Sequence, residues 1–71
     1  MNKIILSDNR EIEIRELKVK DVLAADKYSS NPLMQEIFLI HCATGISMAD
    51  IEEFAVYDYR ALKEKVFEEK K

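Results

Sequence analysis

The N-terminal part of the chain alternates apolar and polar residues with a period of two. Ile4 and Leu6 alternate in a first run, and Ile12 and Ile14 alternate in a second. Such alternation is typical of β-strands with one buried face, and the intervening residues 7–10 (SDNR) have turn chemistry. The pattern therefore predicts a β-hairpin over about residues 2–15.

The register of this hairpin follows from which side chains share a face. A two-residue loop would pair Ile4 with Glu13 and mix apolar and charged residues on each face. A three-residue loop over residues 7–9 pairs Ile4 with Ile12 and keeps the apolar side chains together. It also puts Asn9 where a type I turn with a bulge needs a left-handed residue, which asparagine tolerates. We favour the three-residue loop.

Beyond residue 17 the apolar positions follow a helical period. This period predicts helices at about residues 19–28, 32–44, 48–55 and 57–69. The expected fold is therefore α+β, with an N-terminal β-hairpin followed by a small bundle of about four short helices. The length fits a single domain over residues 1–71.

Capping residues mark the helix boundaries. Asn31 as N-cap, with Pro32 at the first helical position, starts the second helix. Gly45 ends that helix as a left-handed residue, and Ser47 caps the third helix. The first helix carries a short apolar stripe formed by Val19, Val22 and Leu23.

The segment at residues 33–43 forms a helix without a polar side. Its apolar residues point in every direction around the axis: Leu33, Met34, Ile37, Phe38, Leu39, Ile40 and Ala43. A helix of this kind must be enclosed, either by its own fold or by another chain. A chain of 71 residues has little material with which to enclose it. We therefore expect a protein that holds other protein surfaces.

Charge and cysteine content further limit the functional classes to which the protein can belong. The net charge is −3 and no segment is clearly basic, so we expect no nucleic acid as a partner. The many carboxylates form a solvated face rather than an acidic binding surface. Cys42 is the only cysteine, which excludes an internal disulfide. No apolar run has the length of a secretory signal or a membrane span, so we expect a soluble protein of the cytoplasm.

Residue patterns typical of catalysis are weak in this chain. His41 and Cys42 are adjacent, but neighbours on a helix point about 100° apart and do not form a catalytic pair. Neither residue type recurs to build a zinc site, and a single glycine excludes a phosphate-binding loop. We predict no catalytic residues, no metal, no cofactor and no enzymatic activity.

A helix-turn-helix DNA-binding regulator is the alternative function. Residues 40–54 follow its pattern of helix, glycine turn and capped second helix. The second helix would carry Asp50, Glu52 and Glu53 and no cation, so it would repel the phosphates of DNA. The geometry fits this alternative, but the charge does not.

Taken in order, several segments resemble the phage tail assembly chaperone family of Mu-like tail assembly proteins. The matching segments are residues 4–11 (IILSDNRE), 14–17 (IREL), 20–21 (KD), 43–47 (ATGIS) and 57–59 (YDY), followed by Leu62. Family members usually carry glycine where this chain has Asn9. The resemblance implies a non-enzymatic protein of the bacterial host cytoplasm, used while a phage or prophage tail is built. It implies binding to the hydrophobic tape measure protein and help with assembly of the tail tube protein around it.

We predict four protein-binding residues: Met34, Phe38, Tyr57 and Phe67. They lie off the stripes that we expect to face inward, and a partner helix would pack on them as in a groove. The alternative is that they complete a crowded core, which applies more to Met34 and Phe38 than to the other two. Self-association through the same surface is a further expectation. A purely structural subunit of the phage particle is the third functional class that fits.

Overall fold

The computed structural model of the chain describes residues 2–67. It confirms the α+β arrangement of a hairpin followed by four helices. The elements are β1 (Asn2–Ile5), β2 (Glu11–Ile14), α1 (Val19–Tyr28), α2 (Pro32–Thr44), α3 (Met48–Glu52) and α4 (Val56–Val66). None of the helices within the described residues has the length and apolar character needed to cross a lipid bilayer.

The hairpin has the predicted three-residue register. β1 and β2 are antiparallel, and Ile4 lies opposite Ile12. The Leu6 amide donates to the Arg10 carbonyl at 2.9 Å, which closes the loop. Asn9 adopts the left-handed conformation with φ 69°, as the bulged turn requires. This register turns one face of the hairpin toward the core.

The helix caps at both ends of α2 also follow the prediction. The side chain of Asn31 accepts hydrogen bonds from the amides of Leu33 and Met34, at 2.9 and 3.3 Å. Gly45 ends α2 in the left-handed region at φ 80°. The Ser47 hydroxyl oxygen then accepts from the Asp50 amide and caps α3. These caps explain why the chain turns sharply between the helices.

The later helices depart from the predicted bounds. α3 ends at Glu52 rather than near residue 55, because the Glu53 amide bonds back to Asp50 and the chain becomes extended at Ala55. α4 begins at Val56, one residue earlier than expected. The predicted end of this helix at residues 68–69 lies outside the described residues.

The core lies between the hairpin and the helices, with α2 at its centre. α2 packs against α1, α3, α4 and β2, and α4 also packs against β1. The buried core cluster consists of Leu6, Ile12, Ile14, Ile37, Ile40, Ala43, Ile51 and Leu62. The fold thus encloses α2 itself, and Leu33 is the large hydrophobic residue of that helix that remains exposed. Contrary to our expectation, most of the large exposed hydrophobic residues lie on elements other than α2.

Candidate protein-binding surface

The domain exposes much of its apolar material. Within residues 3–67, nine large hydrophobic side chains are exposed, and the same number of hydrophobic residues is buried. The exposed set is Ile5, Val19, Val22, Leu23, Tyr28, Leu33, Val56, Tyr57 and Phe67. Scattered apolar residues are normal on a protein surface, so contiguity decides which of them form a binding site. Two helices, α1 and α4, carry most of this set.

An open groove runs between α2 and α4. It has a volume of about 290 Å³ and is lined by Pro32, Gln35, Glu36, Leu39, Lys63 and Phe67. Its apolar walls are the ring of Pro32, the side chain of Leu39 and the ring of Phe67, which is 38% exposed. The groove is shallow and open to solvent, and the polar half of its lining consists of Gln35, Glu36 and Lys63.

Glu36 fixes the two walls of this groove relative to each other. The Tyr59 hydroxyl of α4 donates a hydrogen bond to the Glu36 carboxylate. The Lys63 ammonium lies 3.5 Å from the other oxygen of the same carboxylate. Burial, together with the bond to Glu36, raises the pKa of the Tyr59 hydroxyl, so Tyr59 stays neutral and continues to donate. Charged and polar contacts at the rim of the groove therefore fix α2 and α4 relative to each other.

The structure separates the predicted site residues into different surroundings. Phe67 lies in the groove, whereas Tyr57 is 75% exposed near the start of α4. Ten residues of helix separate the two side chains by about 15 Å along the axis. The Phe38 ring stacks on Tyr28 at 5.0 Å between ring centroids, and Met34 packs against the core cluster. The four residues therefore do not form one continuous surface.

Sequence reasoning did not identify the most exposed apolar stripe as a surface. In α1 the buried residues are Asp21 and Ala25, whereas Val19, Val22 and Leu23 point to solvent. The apolar stripe of a surface helix normally faces the core, and here it faces outward. The stripe itself is visible in the sequence, but its direction depends on contacts made by Asp21.

Asp21 is held at the interface of α1 by the end of the hairpin. Two nitrogens of the Arg15 guanidinium donate to its carboxylate, at 3.1 and 3.3 Å, and the Lys18 amide donates to it at 2.9 Å. These hydrogen bonds, first those from Arg15 and then the one from Lys18, lower the pKa of Asp21. The carboxylate therefore remains ionised and keeps this face of α1 turned inward.

The comparison with protein families decides the identity. Residues 7–69 match the family model described as phage tail assembly chaperone proteins, E, or 41 or 14. The chain belongs to this family. No curated protein and no solved structure shows a significant match to the chain. Membership implies a non-enzymatic role in tail assembly, with proteins as partners.

His41 and Cys42, whose residue types are common in catalytic sites, have structural surroundings in this chaperone. Nδ1 of His41 lies 2.7 Å from the Ile46 carbonyl oxygen and secures the turn after α2. Burial raises the pKa of the Cys42 thiol, which disfavours the reactive thiolate. Within the part of the chain that the structure describes, no cluster of histidine, cysteine and carboxylate side chains could hold a metal ion.

The helix-turn-helix alternative loses support from the shape of the chaperone as well. α2 and α3 have the expected order around Gly45, but α3 is only five residues long. Its sequence, MADIE, holds no lysine or arginine. A recognition helix must reach several bases and phosphates in the major groove, which a short anionic helix does not do.

Proposed function

We propose that this chaperone binds the tape measure protein in the cytoplasm of the bacterial host. It would keep that protein soluble while tail tube subunits assemble around it, and then leave the assembly. The observation that carries the proposal is the open groove between α2 and α4, with the apolar side chains of Pro32, Leu39 and Phe67 in its lining, in a chain that belongs to the tail assembly chaperones.

The groove suits a side chain from an apolar helix. Leu39 of α2 and Phe67 at the end of α4 offer apolar contacts, and Pro32 adds a third apolar lining residue. Helix-in-groove recognition inserts spaced apolar anchors of this kind into such a surface. We assign Phe67 as the main contact within the groove. The net charge of −3 would help to keep the complex in solution.

The other three predicted binding residues differ in how far their side chains are exposed to a partner. Tyr57 offers an exposed aromatic ring, a residue type that is frequent among energetically important interface positions. Met34 and Phe38 are half-buried and already pack within the domain. A partner would gain direct contact with them only where it covers their remaining exposed edges. Their role in binding stays a prediction.

Co-expression with the tape measure protein encoded nearby tests the proposal. The wild-type chain is expected to keep that protein soluble and to co-purify with it. Phe67→Glu, which places a charge in the groove, is expected to abolish co-purification. Ile5→Glu adds the same charge on an exposed aliphatic residue of the hairpin and serves as the matched control. A tape measure protein that stays insoluble beside the wild-type chain would refute the assignment.

A further inference from the structure

The hairpin has an open edge along β1. The Leu6 amide donates to the Arg10 carbonyl, so the backbone groups of Leu6 point toward β2. The direction of these groups alternates along an antiparallel strand, because hydrogen-bonded and non-hydrogen-bonded pairs follow one another. Ile4 therefore shares the ladder bonds with β2, whereas the N–H and C=O groups of Lys3 and Ile5 point away from it.

These outward groups have no hydrogen-bond partner among residues 2–67. The next outward amide on the same side, that of Ser7, donates to the Asp58 carboxylate of α4 at 3.1 Å. This bond closes the edge at its turn end. The rest of the edge stays open over Lys3 and Ile5, which are both exposed. Two donors and two acceptors are thus available to another strand.

The outer edge of β2 is less available, because other elements contact both of its ends. At the C-terminal end the Arg15 amide donates to the Ala43 carbonyl of α2 at 2.9 Å. Just before β2, the Arg10 guanidinium lies 5.4 Å from the centre of the Phe54 ring, beyond α3. The exposed side chains of β2 are two glutamates, and charged side chains on an edge oppose the addition of a strand.

The side chains of β1 favour the addition of a strand. Ile5 is 66% exposed on the outer face of the hairpin and is a β-branched residue, a type that suits pleated surfaces. Ile4 packs against the core cluster but is only half-buried, so part of its side chain stays uncovered. Lys3 is the charged residue of this edge and lies 3.4 Å from Glu11. A sheet of only two strands also gains stability from a third.

We infer that the β1 edge binds an extended segment of a partner protein, which joins the hairpin as an antiparallel third strand. The segment is recognised by three successive side chains, which are aliphatic, apolar and acidic. In an antiparallel strand they lie beside Ile5, Ile4 and Lys3, and the middle one shares the inner face with Ile4. Opposite charges on neighbouring strands stabilise the pairing, so the acidic residue belongs beside Lys3.

The test uses the purified chain and a synthetic peptide, acetyl-TTVVETT-amide. In the free chain, NMR is expected to show that the amide protons of Lys3 and Ile5 exchange with water faster than that of Ile4. The peptide is expected to slow the exchange of the two outward amides at least about tenfold, because they become hydrogen-bonded. Unchanged exchange at the highest soluble peptide concentration would overturn the inference. So would outward amides that are already protected in the free chain and lose this protection on dilution, since a second copy would then occupy the edge.

Exchange of charge tests the recognition of the acidic residue. The peptide acetyl-TTVVKTT-amide is expected to bind the wild-type chain about fivefold more weakly, because its lysine meets Lys3. The Lys3→Glu chain is expected to prefer this second peptide. Lys27→Glu makes the same change on an exposed residue of α1 and is expected to keep the wild-type preference. A Lys3→Glu chain without a reversed preference would show that the charge assignment is wrong.

A proline tests the backbone directly. Ile5→Pro removes an outward N–H and leaves the ladder bonds to β2 in place, and proline is tolerated in edge strands when the missing N–H faces solvent. It is expected to abolish protection of the Lys3 amide by the peptide, whereas Ile5→Val, which keeps the N–H, is expected to retain it. Circular dichroism checks the fold of both variants. Full protection in a folded Ile5→Pro chain would contradict strand addition, and the charge exchange decides the matter where the proline variant unfolds.

The edge and the groove are separate sites, so their tests can fail independently. Phe67→Glu is expected to bind the peptide like wild type, although it loses the tape measure protein. Ile5→Glu, the control of the co-expression experiment, is expected to bind the peptide at least about tenfold more weakly and still to co-purify with the tape measure protein. A Phe67→Glu chain that no longer binds the peptide would overturn the assignment of a separate site to β1.

Discussion

Ser7, in the hairpin turn, donates two hydrogen bonds to the carboxylate of Asp58 in the first turn of α4. Its amide lies 3.1 Å from Oδ1 and its hydroxyl lies 2.8 Å from Oδ2. Asp58 is buried, and it also stands where a negative charge favours the start of a helix. A single side chain thus ties the N-terminal hairpin to the last helix.

Replacing Asp58 with alanine is expected to lower the free energy of unfolding by about 2–3 kcal/mol, because both charge-assisted hydrogen bonds are lost. Asp50→Ala is the matched control, since Asp50 occupies the same position in the first turn of α3 but is exposed. Its cost is expected to stay below about 1 kcal/mol. Urea unfolding followed by circular dichroism measures both, and equal losses would contradict the role given to Ser7.

Gly45 offers a test of pure backbone strain. A methyl group at this position would meet no atom within 4 Å, so the cost of substitution comes from the left-handed φ of 80° alone. Gly45→Ala is expected to lower the free energy of unfolding by about 1 kcal/mol. Gly45→Asn, which tolerates this conformation better, is expected to cost less. If the asparagine variant were the less stable of the two in urea, the conformational explanation would be wrong.

Acid should weaken the attachment of α1 through Asp21. Because the folded state lowers the pKa of this carboxyl, the stabilisation is complete above the unfolded value of about 3.9 and is lost as the pH falls through the lower folded value. Asp21→Asn is expected to be less stable than wild type at pH 7, with a gap that narrows in strong acid. Urea midpoints measured from neutral pH downward check this. Asp26→Asn, at an exposed position of α1, should follow wild type throughout.

The stabilisation of the fold by Tyr59 is lost at high pH, whereas that by Asp21 is lost at low pH. Burial and the bond to Glu36 raise the pKa of the hydroxyl, so the stabilisation is complete below the ordinary tyrosine value of about 10 and falls as the pH rises above it. Tyr59→Phe is expected to cost about 1 kcal/mol at neutral pH by removing the hydrogen bond. That difference from wild type should shrink in alkaline solution. Tyr57→Phe, with an exposed ring, is the control and should show no such trend.

The parts of the fold that could be predicted from the sequence are those set by local rules. The hairpin register follows from side-chain parity, and Ile4 does lie opposite Ile12. The caps at Asn31 and Gly45 could be predicted because each depends only on local features. The Asn31 side chain accepts hydrogen bonds from nearby amides, and Gly45 adopts a left-handed conformation. The sequence also indicated that α2 must be buried on all sides. In the structure, the other elements of the same chain bury most of it.

The candidate site was harder to predict, because it depends on contacts between distant elements. Phe67 forms part of a groove only because Tyr59 and Lys63 bring α4 against Glu36. The outward direction of the α1 stripe depends on Arg15, which lies outside the helix and holds Asp21 inward. A periodic stripe identifies a face of a helix, but it does not tell which side the rest of the chain covers.

The inverted orientation of α1 also sets how firmly the helix is attached. The stacking of Tyr28 on Phe38 holds it to α2, and the ion pair between Asp21 and Arg15 holds it to the end of the hairpin. Its buried residues are Asp21 and the small Ala25, so it buries little aliphatic surface. Its amide protons should therefore exchange with deuterium earlier than those of α2, through local opening that leaves the rest of the domain folded. Any protein that covers Val19, Val22 and Leu23 would slow this exchange. Hydrogen–deuterium exchange at α1 thus provides a direct report of when that surface is occupied.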